Sequence, residues 1–281
     1  MATAAVLPTP HVVHTTINYV KPVVGEAPYF YVNGAPEGKK RTNIETEPRD
    51  VVVHDVRGRE DTVGLDKTGF QFLEHTSEEK EFRDEERIKT IYYKECEELL
   101  KRATGAKRVF IFDHTIRRDY EAIPSSDPSS QARGPVKTVH VDQTYDASVG
   151  RVHHHLGAEA ERLLKSRVRI INVWRPIAHV VAHDPLGVAD FFSLEDDDLM
   201  ASRHIYPDRE GGTFAVKYNP KHRWYFLADQ RPDEVTLIKC FDSDTDKARL
   251  TPHTSFPDKS SPESAPRRQS IEVRALVFDA E

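Results

Sequence analysis

The chain has 281 residues, with 38% hydrophobic and 31% charged side chains and a formal net charge of −6 at pH 7. This describes a soluble globular protein of one large domain, since β-rich barrels reach this length as single units. The acidic balance leaves no basic footprint for nucleic acid or an anionic membrane. The only cysteines, Cys96 and Cys240, fall in a helical and an apolar extended stretch, and read as buried, unpaired thiols of a reducing compartment. The first ten residues lack a basic segment followed by a long apolar run, and no stretch reaches membrane-span length, so a cytoplasmic location is expected.

Residues 1–50 are punctuated by Pro and Gly, with short apolar pieces around Tyr29-Phe30-Tyr31-Val32 before the Asn33-Gly34 turn. They read as an extended arm packed on a single domain of residues 51–281. Residues 51–56 form a short strand. A helix is predicted over residues 77–104: Ser77 as N-cap, Glu78, Glu79 and Glu81 at the positive end of the dipole, and Lys101 and Arg102 at the negative end. Gly105 stands where a left-handed C-terminal residue belongs. A strand over residues 108–112 leads to a Ser-, Pro- and Asp-rich loop at 123–134, which reads equally well as a substrate lid or as plain surface.

Residues 136–141 alternate apolar and polar, as a half-buried strand does. The triplet His153-His154-His155 precedes a predicted helix over residues 156–164, where adjacent side chains diverge and cannot converge on one ion. Residues 168–176 form a strand with Asn172, Trp174 and Arg175 set among apolar neighbours, where buried polar groups need partners. The acidic segment 183–209 is predicted irregular, its Glu195-Asp196-Asp197-Asp198 run solvated. Strands follow at residues 213–218, 224–228 and 235–241, joined by short turns. His253 lies in an extended stretch, and a final strand covers residues 267–278.

His140-Val141-Asp142 is the stretch that organises these elements. On a strand, positions i and i+2 face the same side, so His140 and Asp142 point together into one cavity. With a distant His253 they make a 2-His-1-carboxylate triad, which holds iron(II) and leaves three positions open. A 2-oxoacid chelates two of these and leaves one for dioxygen. Its far carboxylate, once buried, requires a bidentate cation and a hydroxyl. Arg268 and Ser270, two apart on the last strand, supply both. The many short strands, with helices packed outside, predict an α+β, mainly β chain: a double-stranded β-helix, or cupin-like jelly roll, with flanking helices.

The pattern His140-Val141-Asp142, His253 and Arg268-Gln269-Ser270 resembles the His-x-Asp…His…Arg-x-Ser signature of iron(II)/2-oxoglutarate-dependent oxygenases. Six stretches resemble, more closely, a mainly fungal family of hydroxylase/desaturase-like proteins. That family includes a gibberellin desaturase and aspergillic-acid-type hydroxylases, and is related to a component of cephamycin methoxylation. The stretches are Leu65-Asp66-Lys67-Thr68-Gly69-Phe70, Phe112-Asp113-His114-Thr115-Ile116-Arg117-Arg118, Val139-His140-Val141-Asp142-Gln143-Thr144, Asn172-Val173-Trp174-Arg175-Pro176-Ile177, Lys239-Cys240-Phe241-Asp242-Ser243 and Ser270-Ile271-Glu272-Val273-Arg274. The resemblance implies oxidation of a small natural-product intermediate, with 2-oxoglutarate and O2 converted to succinate and CO2. It implies His140, Asp142 and His253 as iron ligands, and Arg268 with Ser270 at the distal carboxylate of 2-oxoglutarate. Asn172, Trp174, Arg175 and Arg117 are candidates for cosubstrate or substrate contacts. A non-redox metal enzyme on the same barrel would not need Arg268 and Ser270, and an accessory protein would not need the triad. A homodimer is the default assembly.

Overall fold

The computed structural model describes residues 11–22, 25–118 and 134–281. Among these residues, fourteen strands form two curled sheets. The larger runs in the order β1 (Val12–Val20), β3 (Thr46–Asp55), β11 (Trp224–Phe226), β8 (Leu186–Ala189), β13 (His253–Ser255), β6 (His140–Val141), β10 (Glu210–Val216), β9 (Leu199–Ile205) and β2 (Tyr29–Tyr31). The smaller runs β4 (Phe70–Glu74), β12 (Glu234–Asp242), β7 (Val168–Pro176), β14 (Ser270–Phe278) and β5 (Arg108–Arg117). This is the expected jelly roll with helices on its outside.

The smaller sheet is covered on both faces, which explains why every residue of β7 and β12 is buried. Side-chain alternation sorts its residues into two layers. Ile170, Trp174, Ile238 and Leu276 point into the barrel and pack with Phe70 and Val188. Ile171, Val173, Leu237, Ile271 and Val273 point outward against Ile88, Tyr92, Leu99 and Leu100 of the covering helix. A barrel strand of this kind carries polar groups at interior positions only where other polar groups meet them, so its parity decides what reaches the site.

That helix covers residues 85–104, not 77–104. Asp84 caps it, accepting from the backbone N–H groups of Glu86 and Arg87, and it passes through a π turn at Ile88–Tyr92 before the Tyr93–Thr104 segment. Ser77 instead donates its hydroxyl to Glu95, and the Glu79 carboxylate accepts from the N–H groups of Glu81 and Phe82. Phe82 has φ +49°, a left-handed conformation through which no right-handed helix continues. The predicted C-terminal end holds: Gly105 has φ +71° and bonds back to the Lys101 carbonyl.

Three further elements differ from their predicted form. The strand predicted at 136–141 contracts to β6, with an isolated bridge from Thr138 to Asn18. The helix predicted at 156–164 starts at Tyr145: Thr144 caps Tyr145–Leu156, whose last turn carries His153, His154 and His155. A short Ala160–Leu163 helix follows. The segment predicted irregular at 183–209 contains β8 and β9, and its Asp198 is buried, accepting from Asn219 and His222. Cys96 and Cys240 are buried and free. The candidate lid at 123–134 lies outside the described residues, apart from Gly134. No helix among the described residues is long and apolar enough to cross a membrane.

Candidate active site

Strand register brings the two histidines together across 113 positions of sequence. In the antiparallel pair of β6 and β13, His253 stands directly opposite His140. Directly opposed residues share a face, and the two ring centroids are 4.4 Å apart. Asp142 follows β6 at once. Its Oδ1 lies 3.4 Å from His140 Nε2 and 3.9 Å from His253 Nε2. One ligand atom from each residue falls within 4.8 Å of the others, the one group among the described residues able to gather three such atoms.

Both imidazoles are held by the same device. His140 Nδ1 lies 2.9 Å from the Thr138 carbonyl, and His253 Nδ1 3.0 Å from the Thr251 carbonyl. A carbonyl only accepts, so Nδ1 carries the proton on each neutral ring and Nε2 presents its lone pair. Thr251 is itself fixed by its hydroxyl, which donates to the Gly69 carbonyl at 2.6 Å. Gly69 has φ +97°, and a Cβ there would stand 2.4 Å from Thr251 Oγ1 and 2.7 Å from the Leu250 carbonyl oxygen. The backbone around His253 is therefore packed against a position that admits only glycine.

The other carboxylate oxygen of Asp142 is occupied. Asn172 Nδ2 donates to Oδ2 at 2.7 Å, and Arg274 Nε donates to the same atom at 3.1 Å. Arg274 is anchored in turn: its guanidinium reaches Asp113 Oδ1 and Thr115 Oγ1, both at 3.1 Å, and Glu272 Oε1 at 2.7 Å. Burial pushes the Asp142 carboxyl upward, but Arg274 and the two imidazoles outweigh it and hold the group well below the ordinary range. Burial raises the Glu272 carboxyl despite Arg274. Burial pulls His253 down to about 4, with His140 adding to the effect. For His140 burial acts in the same sense, but its hydrogen bond to Asp142 prevails and the ring is raised above its ordinary value. The cluster thus holds an ionised carboxylate, a neutral His253 and a His140 that yields its proton to an incoming ion, which completes the donor set that suits iron(II).

Arg274 joins the predicted residues, and the sequence carries a signal for it: Ser270, Glu272 and Arg274 alternate along β14 with Ile271, Val273 and Ala275, whose side chains join the outer layer. Charged residues on the barrel-facing side of a buried strand need a polar cluster to meet them.

The remaining candidates divide. Ser270, buried, stands opposite Arg117 on β5 and Pro176 on β7. Arg117 donates to the Gly134 carbonyl at 2.9 Å. Trp174 stands opposite Glu272, and the Arg268 guanidinium lies 5.3 Å from a Trp174 ring centroid. Arg268 precedes β14 rather than lying on it, is buried, and donates to the Asp184 carbonyl. Asn172, Trp174, Arg268, Ser270 and Arg117 thus belong to the barrel-facing side. Arg175 does not. It has the outward parity of β7, donates to Tyr92 Oη at 3.0 Å and to the carbonyls of His75 and Pro232, and ties the covering helix to the sheet.

A jelly roll with two imidazoles and a carboxylate converging inside it is built to hold one metal ion, as in the double-stranded β-helix class. Comparison with known proteins narrows this. A family model described as an oxidoreductase/YMDC permease-like domain matches residues 17–278. A hydroxylase/desaturase of Hormonema carpetanum is 35% identical, with 95% of each chain covered. An Fe(II)/2-oxoglutarate-dependent dioxygenase of Aspergillus novofumigatus is 31% identical, covering 92% of this chain and 94% of its own. Among solved structures, the iron and alpha-ketoglutarate-dependent endoperoxidase NvfI superposes with a TM-score of 0.83 at 30% identity, over 96% of this chain and 99% of that one. The chain belongs to this fungal family of iron(II)/2-oxoglutarate-dependent hydroxylases and desaturases.

Proposed function

We propose that His140, Asp142 and His253 are the iron(II) ligands of an oxygenase that oxidises a C–H bond of a small natural-product intermediate. Iron, 2-oxoglutarate and O2 supply the oxidising chemistry, with succinate and CO2 as coproducts. The observation that carries this is the matched pair of Nδ1 tethers, at 2.9 and 3.0 Å, which leaves both Nε2 lone pairs facing Asp142 Oδ1. Such second contacts fix tautomer and ring orientation in metal-binding histidines.

Each surrounding residue then has a task. Arg268 and Ser270 receive the distal carboxylate of 2-oxoglutarate: a guanidinium offers the fork that a buried carboxylate requires, and the hydroxyl donates a third bond. The Trp174 ring beneath Arg268 keeps that guanidinium desolvated, which strengthens its hold on an anion. Arg117 faces the substrate from across Ser270, and the apolar barrel wall excludes water from the reacting carbon. Residues 51–281 carry the catalytic machinery, β1 and the first half of β3 extend its larger sheet, and the enzyme works in the cytoplasm with a homodimer as its default assembly.

The test is 2-oxoglutarate-dependent succinate formation by the iron-loaded protein. Single variants His140→Ala, Asp142→Ala and Arg268→Ala are each expected to reduce it at least a hundredfold. A His140→Ala protein turning over 2-oxoglutarate at the parental rate would refute the ligand assignment.

A further inference from the structure

The two oxygens of Asp142 are treated differently by the fold. Oδ1 faces both imidazole Nε2 atoms, whereas Oδ2 accepts from Asn172 Nδ2 at 2.7 Å and Arg274 Nε at 3.1 Å. We propose that Arg274 and Asn172 are positioning residues that lock Asp142 to bind the metal through one oxygen only, so that the site accepts 2-oxoglutarate in the coordination positions left open. This rests on the reading of the triad as an iron site.

A free carboxylate on a divalent ion can chelate through both oxygens, and a second bond occupies a position that a bidentate cosubstrate requires. A carboxylate rotates about a single bond, and that torsion is broad. Direction must therefore come from its hydrogen-bond partners.

Here both donors converge on the same oxygen. Arg274 is itself fixed at three further points, on Asp113, Thr115 and Glu272. Asn172 lies in the middle of β7, directly opposite Arg274 on β14 in the sheet register. The two donors are therefore neighbours on adjacent strands, aimed at one atom from a rigid sheet. Charge acts in the same direction: removing the Arg274 cation leaves Glu272 and Asp113 less compensated, which disfavours an incoming dianion without disfavouring a metal cation.

These effects separate the two binding steps. Apo protein is titrated with Co(II), whose visible bands report coordination, and then with 2-oxoglutarate. For Arg274→Met, loss of a neighbouring cation favours Co(II) and offsets the looser Asp142, so Co(II) affinity is expected to stay within about threefold of the parent, while 2-oxoglutarate binds about ten- to a hundredfold more weakly. Arg274→Lys keeps the charge but not the fork, and is expected to fall between the two. Asn172→Leu removes the other donor without changing charge, and is expected to weaken 2-oxoglutarate binding in the same order; it decides the matter if Arg274→Met does not fold.

Equal weakening of Co(II) and 2-oxoglutarate would indicate general loosening of the barrel and overturn the proposal, as would parental 2-oxoglutarate affinity in both variants. If the parent itself binds neither Co(II) nor 2-oxoglutarate, the iron-site reading fails and takes the inference with it. Parental binding with unaltered variants overturns the inference alone.

Discussion

Metal binding should compete with one proton near neutrality, not two. A bound ion requires both imidazoles neutral. Burial holds His253 at about 4, so it is already neutral at about pH 5 and above. His140, raised above its ordinary 6.5 by Asp142, is the ring that must release a proton. Asp142, held low, stays ionised throughout. Between about pH 6.5 and about pH 5, apparent affinity should therefore fall by at most about 30-fold, or about 2 kcal/mol, since one proton costs no more than tenfold per pH unit. Two ordinary histidines, each half protonated at about pH 6.5, would lose about 250-fold over the same interval. Below about pH 4 the slope should double as His253 protonates. The assay is a Co(II) titration of the apo protein at stepped pH. A second-order slope already present above about pH 5 would refute the assignment of different roles to the two rings.

Other perturbations test how the fold supports the site. Gly69→Ala places a methyl 2.4 Å from Thr251 Oγ1 at a positive φ; it should cost at least about 2 kcal/mol in unfolding by urea and weaken Co(II) binding at least about tenfold through His253. Arg175→Leu removes a buried guanidinium from Tyr92 and two carbonyls; it should lower stability by about 3 kcal/mol while leaving Co(II) and 2-oxoglutarate affinity unchanged, and a selective loss of substrate turnover would contradict its outward placement. Lys239, fully buried between Asp66 at 2.8 Å and Asp242 at 2.6 Å, should lose about 3 kcal/mol on change to Met, because the buried Asp242 then keeps only Arg167 of its two cationic partners, beside the Asp244 N–H. Asp66 and Asp242 both titrate below the ordinary carboxylate value when folded: burial opposes this, and Arg167 and Lys239 outweigh it. Their stabilisation is therefore fully present above about pH 4 and is lost as pH falls below it, which an acid unfolding curve of the parent, set against Lys239→Met, would resolve.

Much of the site was legible because strand parity is a strong constraint. His140 and Asp142 at i and i+2 could be read as one cluster, and the apolar alternation of β14 placed Ser270 inside. The same parity rule applied to β7 would have sent Arg175 outward, since Asn172 and Trp174 already claim the interior; a polar residue in an apolar strand invites a functional reading when its face is not checked. Applied along β14, it would also have found Glu272 and Arg274 beside Ser270. The covering helix begins eight residues later than its sequence suggests, because Ser77 and the glutamates after it have the composition of a helix N-terminus. Their side chains instead bond across a turn broken at Phe82. β8 leaves no periodic signal in the sequence, because Leu186-Gly187-Val188-Ala189 is short, lacks polar alternation and is buried throughout. The pairing of His253 with His140 is a matter of register between β13 and β6, which sequence spacing permits but does not specify.

The most direct test of the account is an anaerobic titration of apo protein with iron(II) and then 2-oxoglutarate, followed by visible absorption. The account predicts a weak charge-transfer band on addition of 2-oxoglutarate, abolished in Asp142→Ala and reduced in Arg268→Ala. A parental protein that binds iron(II) yet shows no band, or a band unchanged in Asp142→Ala, would contradict it.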